Sequence, residues 1–340
     1  MTLRAKAAIV FSALSLLALM PGIAHAGGGG GIGNVGGGTT DPGKGTIAAA
    51  VGVQYNKGHN GSGDGAGPLT PVGTWAPPAC WYQPMYTPDQ LKASSEGVWS
   101  QPSVGYMWVN AQRDRYVDGH PYTNFNADKA GKGFWWAGYA DPSRYADPKA
   151  FSCTDEPFWV DKGEPAPAGH PNAVTPAILA QLAYAQILIP QGAATMNPAG
   201  NQTVNLPTWV WLNGKQFHPV SVTAYLPDYG ISATTTATPV SMHIDPGTPD
   251  ATVYPGSGNC PLDANGHVGT PYAAGATGNP PCGVTYLRST NSTGSYHLKA
   301  TVTWHISWTG TGQANPKDLP EGTFGTPQDV TVREVQTINR

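Results

Sequence analysis

Charge is scarce in this chain. Only 11% of its 340 residues are Asp, Glu, Lys or Arg, with 18 basic residues against 21 acidic ones. A mildly acidic chain without clustered Lys and Arg is not built to hold a phosphate backbone, so nucleic acid is excluded as a partner. Long apolar runs are missing beyond the first 26 residues. No later run reaches the roughly 18 apolar residues that a membrane span needs. There are only four cysteines, none in the Cys-x-x-Cys spacing of redox or zinc motifs. The chain also has no Gly-x-Ser-x-Gly elbow and no His-Glu-x-x-His pair. No catalytic residue, metal ligand or cofactor is assigned on this basis, and the chain is read as non-enzymatic.

What is present begins with an export signal at residues 1–26. Arg4 and Lys6 form a positive start, Ala7–Met20 is apolar or small, and Ala24-His25-Ala26 is a small-x-small cleavage site. The expected mature chain starts at Gly27, without a membrane span, and is secreted to the cell surface or beyond. Its net charge is (18 − 2) − 21 = −5. In an oxidising compartment an even cysteine count implies disulfides. Four cysteines allow three connectivities. Cys80–Cys153 with Cys260–Cys282 is favoured, because each pair then stays inside one proposed region.

Residues 27–45 are a glycine-rich leader. It carries too few apolar groups to offset the entropy of ordering it. An aromatic-rich β/loop region follows at 46–172. Ile47, Ala49, Val51, Val53 and Tyr55 alternate as a first strand, and Asn56–Gly67 reads as a loop. Asn60, Ser62 and Asp64 within it supply too few carboxylates for a calcium loop. Val104–Val109 and Gly133–Tyr139 read as short strands. Trp81, Trp99, Trp108, Trp135 and Trp136 are candidate ligand contacts, since aromatic rings stack on sugars. The competing reading makes the same rings core filling.

The most polar stretch, Arg113–His120, offers Asp114, Asp118 and His120 for acid–base or metal chemistry. Its plainer reading is a charged hairpin end turning at Asp118-Gly119. Asp155 and Glu156 are further carboxylates that a glycosidase would have to bring into one cleft. The one clear helix is expected within 173–190, capped by Thr175, started by Pro176 and stopped by Pro190. Residues 191–203 read as a linker.

From Val204 onward the pattern is β. Val204–Leu212, Val220–Leu226, Ser232–Ile244, Thr285–Leu287, Tyr296–Trp308 and Val330–Ile338 are strand candidates. Tyr296–Trp308 is the clearest. Tyr296, Leu298, Ala300, Val302, Trp304, Ile306 and Trp308 share one face, and His297, Lys299, Thr301, Thr303, His305 and Ser307 share the other. At about 3.3 Å per residue this strand would run roughly 43 Å, so a bend or bulge is expected in it. The strand count and turn spacing suit an antiparallel β-sandwich, with a closed barrel as the alternative.

Several segments in order carry a resemblance: Asn205-Leu206-Pro207-Thr208-Trp209-Val210-Trp211, Thr236–Ser241, Gly269-Thr270-Pro271-Tyr272, Cys282–Tyr286, Ala300–Trp304 and Arg333–Gln336. Together they resemble secreted actinobacterial proteins that carry a PKD-like domain. The resemblance covers about 200–340, and only loosely 46–170 through the placing of Cys80. It implies a C-terminal, Ig-like, PKD-like sandwich at 204–340. It also implies a non-catalytic role as a structural or adhesive module that contacts a protein or glycan of the cell envelope. The chain departs from the PKD pattern at His243-Ile244-Asp245-Pro246-Gly247, where the usual Trp-Asp-Phe-Gly-Asp-Gly run is missing. A metal role for His243 with His297 or His305 is the remaining option there.

Overall fold

The computed structural model describes residues 52–335, except 215, 216 and 264. The expected export signal, the expected glycine-rich leader and the start of the first expected strand lie outside the described residues, as does the end of the last one. The fold is mainly β, with 40% strand and 18% helix, around a curled antiparallel sheet.

That sheet has seven strands. Its path runs Gln54–His59, Val220–Leu226, Ile231–Asp245, Tyr296–Gly310, Gln313–Val330 and Thr70–Pro71, while Asn259–Pro261 pairs with the far end of Ile231–Asp245. Tyr296–Gly310 is an interior strand. Its seven alternating apolar side chains are all buried, and Leu298, Trp304 and Ile306 are fully so. Side chains of this size each contribute about 1.5–3 kcal/mol on burial. The opposite face, from His297 to Ser307, is exposed or half-buried. The bend anticipated from its length is present as a register shift between Trp304 and Ile306, matched by another at Pro239/Ser241 on the neighbouring strand. An extra residue on one strand bends the ladder and increases twist.

A four-stranded sheet covers one end of this apolar face, in the order Ala251–Tyr254, Gly283–Tyr286, Thr208–Trp211, Thr195–Asn197. Tyr286 stacks on Tyr296 across the two sheets, with ring centroids 5.4 Å apart. The Cys260–Cys282 disulfide clips them together. A helix, Pro176–Ala185, covers the other end. Thr175 caps it by accepting from the backbone N–H of Ile178, and Pro176 takes the first position, where no N–H is needed. Thr235 donates its hydroxyl to the Ala180 carbonyl at 2.8 Å, joining sheet to helix.

This helix is shorter than the apolar run that predicts it. Leu188 and Ile189 leave it to pair with Gly67 and Pro68. The Asn60 side chain takes the Leu188 N–H and donates to the Gln186 carbonyl, so a tertiary clamp ends the helix before Pro190 does. The expected linker at 191–203 is likewise structured, contributing Thr195–Asn197 and Gln202–Thr203.

The aromatic-rich region forms a three-stranded sheet, Cys80–Tyr86, Gly133–Ala140 and Phe158–Asp161. One of its faces joins the main core through Trp81, Phe134, Trp136, Phe158 and Val160. The other packs Tyr86, Trp135 and Trp159 against a helical lobe with Leu91, Trp99, Tyr116 and Phe125. Strands on both sides of 173–203 therefore share one core, and Gln54–His59 and Thr70–Pro71 hydrogen-bond directly into the main sheet.

The lobe corrects the expectation of a single helix. We label Pro88–Trp99 α1, Tyr106–Tyr116 α2 and Pro176–Ala185 α3. Thr87 and Gln90 form a reciprocal cap on α1. The expected strand at Val104–Val109 is instead the start of α2. Its alternating apolar residues mimic a strand, but the side chains that α2 buries, Gln112 and Tyr116, are four apart.

Candidate functional site

The chemistry-bearing side chains concentrate where α2 meets the segment after Cys153. The Cys80–Cys153 disulfide anchors that segment to the edge strand Cys80–Tyr86. From there Asp155 and Glu156 diverge. Asp155 Oδ2 lies 2.6 Å from His170 Nδ1. The imidazole stacks on Phe158 at 3.6 Å and meets Tyr82 edge-on. Tyr82 also accepts the Asp155 backbone N–H at 3.1 Å. Glu156 turns to the helical lobe, where its Oε1 accepts from Gln112 Nε2 at 3.2 Å.

Tyr116 sits at the centre of the lobe. Its hydroxyl donates to the Pro157 carbonyl at 3.0 Å. Burial raises its pKa most, with the Glu156 charge adding to the rise and Arg115 opposing it. Arg115 lies over the Tyr116 and Tyr122 rings at 5.5 and 5.8 Å. Phe125 stacks on both Tyr116 and Trp99, and Arg113 covers the Trp99 ring at 5.1 Å.

The residues singled out by sequence separate into pairs. His120 Nδ1 lies 2.9 Å from Asp114 Oδ1, both well exposed. An exposed pair of this kind contributes at most about 1 kcal/mol. Asp118 does not join them. The expected hairpin end begins as a helix C-terminus at Tyr116, and the expected turn at Asp118-Gly119 follows it, closed by an antiparallel bridge between Asp118 and Thr123. The chain at 117–124 folds back so that the N–H groups of Val117 and Asp118 cap Arg113, His120 caps Asp114 and Tyr122 caps Arg115. His243, His297 and His305 do not converge: they pair separately with Asn259, Asp329 and Asp318. Among the described residues, no three His, Cys, Asp or Glu side chains group as metal ligands.

Of the five candidate tryptophans, Trp81, Trp99, Trp135 and Trp136 are buried, and Trp108 is half-buried. Those four fill cores on both faces of the three-stranded sheet, and Trp108 packs against one of these cores. Sequence reasoning missed Gln112, Asn126 and His170. Gln112 meets Glu156 44 residues away, His170 meets Asp155 15 residues away, and Asn126 is buried by packing, so no local spacing marks them. The cap signal Thr87-Pro88-Asp89-Gln90 could have located α1 and with it the lobe.

No family model, no curated protein and no solved structure matches this chain.

Proposed function

We propose that the chain is an exported, non-enzymatic structural or interaction protein of the cell envelope or extracellular space. In this reading residues 204–340 act as a PKD-like, Ig-like module, as in the secreted actinobacterial proteins that the sequence resembles. One observation carries the reading: both disulfides clip separate parts of a single continuous core, one across two facing sheets and one at the edge of the aromatic region. Such bonds persist outside a reducing cytoplasm. No helix among the described residues is long and apolar enough to cross a membrane. The acidic and histidine side chains form two-member pairs spread over the surface, an arrangement suited to a solvated scaffold.

The test is expression with residues 1–26 in an actinobacterial host, followed by fractionation and N-terminal sequencing. The expected result is a mature chain starting at Gly27, outside the cytoplasm, retained on washed envelope and inert in a hydrolase screen. A cytoplasmic, thiol-free-to-alkylate chain overturns the export reading. Hydrolysis that disappears in Asp155→Asn or Asp114→Asn, with the fold intact, overturns the non-enzymatic one.

A further inference from the structure

The strand Thr208–Trp211 carries two tryptophans that neither large core absorbs. Thr208 and Val210 are buried beneath the four-stranded sheet, and Trp209 and Trp211 are half-buried on its other side. Successive strand side chains take opposite faces, so the two indoles share the outer face, with their Cα atoms about 6.6 Å apart. Among the described residues, neither indole N–H has a hydrogen-bond partner. Both rings keep part of their surface in solvent.

The register of the sheet fixes what stands beside them. Trp209 is opposite Asn197 on one neighbour and Gly283 on the other, and Trp211 is opposite Thr195 and Gly269. Residues paired across strands share a face. The two glycines put no side chain beside the indoles. Tyr272 walls one side, its ring nearly perpendicular to that of Trp209 with centroids 5.6 Å apart. No charged residue and no histidine occurs in 189–214 or 268–287, the segments that supply these groups. The surface is therefore aromatic and formally uncharged, and its other side chains are an amide and a hydroxyl. A protein-docking surface centres instead on an apolar core inside a polar rim.

We propose that this outer face binds a neutral polysaccharide, with Trp209, Trp211 and Tyr272 against the sugar rings and Asn197 and Thr195 on their hydroxyls. A sugar unit combines apolar C–H faces, which suit aromatic rings, with hydroxyls that both donate and accept. The indole N–H groups donate to such hydroxyls, while the Asn197 amide and the Thr195 hydroxyl do either. The absence of charge disfavours an anionic glycan, which would need Lys or Arg to hold it. The two indoles lie along one strand, so a chain running with that strand meets both.

This names a ligand for the interaction role proposed above and rests on that reading. The test is calorimetric titration of the intact disulfide-bonded chain with dextran, mannan, arabinogalactan and a mixed-linkage β-glucan, with alginate as the anionic control. The expected result is saturable binding to at least one neutral polysaccharide, persisting in high salt. Trp209→Ala and Trp211→Ala should each weaken it at least about tenfold, and Asp114→Asn should leave it unchanged. Trp209→Phe and Trp211→Phe keep a ring and drop the N–H, so they should fold even where the alanine variants do not, and each should weaken binding as well. No binding of any neutral polysaccharide at about 10 mM in sugar units overturns the proposal. So does an affinity that the folded tryptophan variants leave unchanged, or binding to alginate alone. Concentration-dependent dimerisation that Trp209→Phe abolishes would assign the face to a second copy and overturn it too. Cleavage of a bound polysaccharide, by contrast, overturns the non-enzymatic reading and leaves the site standing. Envelope retention undiminished in both tryptophan variants removes the site and leaves that reading standing.

Discussion

Trp136 donates its indole N–H to the Tyr229 hydroxyl at 2.9 Å, and that hydroxyl in turn donates to the Val160 carbonyl at 3.1 Å. The two rings meet edge to face with centroids 5.2 Å apart. Tyr229 belongs to the turn between two main-sheet strands, whereas Trp136 and Val160 belong to the three-stranded sheet. One hydroxyl therefore joins the aromatic region to the main sheet. Tyr229→Phe keeps the ring but strands a buried N–H and a buried carbonyl. The expected loss is about 1–3 kcal/mol in urea unfolding. Trp136→Phe in the same background should then cost less than it does alone, with a coupling of roughly 0.5–3 kcal/mol. Additive losses would mean that the bond does not join the two regions.

Burial also predicts behaviour at high pH. The Tyr229 hydroxyl is pushed up to about 12, chiefly by desolvation, and so is that of Tyr184. Tyr116 and Tyr286 are raised further by the same cause. A folded pKa above the unfolded value of about 10 gives a contribution that is complete below pH 10. It is lost as pH rises from 10 through 12. Stability should be flat in this term up to about pH 10 and fall steeply above it. Phenolate absorbance of the buried tyrosines should appear together with unfolding measured by far-ultraviolet circular dichroism. Phenolate formation by all tyrosines in a still-folded chain near pH 10 would contradict this.

The disulfides should differ in their contribution. Cys80–Cys153 closes a separation of 73 residues and Cys260–Cys282 one of 22. The ratio of 73 to 22 is between one and two doublings. At about 0.6 kcal/mol per doubling, the longer loop is worth about 1 kcal/mol more in chain entropy. Replacing both cysteines of a pair by alanine should cost about 2–4 kcal/mol, with the Cys80/Cys153 variant the less stable of the two. The reverse order in chemical denaturation would show that the cross-sheet position of Cys260–Cys282 outweighs loop length.

The outer edge of Gln313–Val330 pairs with Thr70–Pro71 only at Gly322 and Thr323. The rest of that 18-residue edge carries Pro316, Lys317, Pro320 and Pro327. Proline offers no N–H to an incoming strand, and a lysine resists burial, so the edge is protected against pairing between copies. Replacing Pro316 and Pro327 together by threonine should produce concentration-dependent association in light scattering while leaving the monomer fold intact. A variant that stays monomeric would locate the protection elsewhere.

The strands legible in the sequence were those with one wet and one dry face. Tyr296–Gly310 and Val220–Leu226 alternate cleanly, and burial follows the alternation. Gln313–Val330 falls outside the strand candidates because three prolines and several charges break its pattern; only the pairing along Tyr296–Gly310 makes it extended. α2 misleads for the opposite reason, since its buried face is a glutamine and a tyrosine. The lobe's polar atoms are harder still to foresee. Gln112 and Glu156 meet across 44 residues, and Asn126 is set by a backbone conformation that its sequence does not demand.

Gly322 lies opposite Trp304 on the inner face of the main sheet. A Cβ placed there would stand 2.7 Å from the Tyr184 hydroxyl and 3.0 Å from Leu69 Cβ, so the glycine makes room for the tyrosine. That hydroxyl is buried without a hydrogen-bond partner. Gly322→Ala should therefore destabilise by about 1–3 kcal/mol through overpacking. Tyr184→Phe removes an unsatisfied group and leaves the ring stacked on Trp75, 5.0 Å away, so alone it should be neutral or stabilising. In the double variant the methyl takes the space of the lost oxygen, and the cost of Gly322→Ala should shrink towards that of the Leu69 contact. Thermal unfolding of the four proteins in the cycle decides it. Equal penalties for Gly322→Ala with and without the hydroxyl would show that the clash is relieved by movement of Leu69 and the Thr70–Pro71 edge instead.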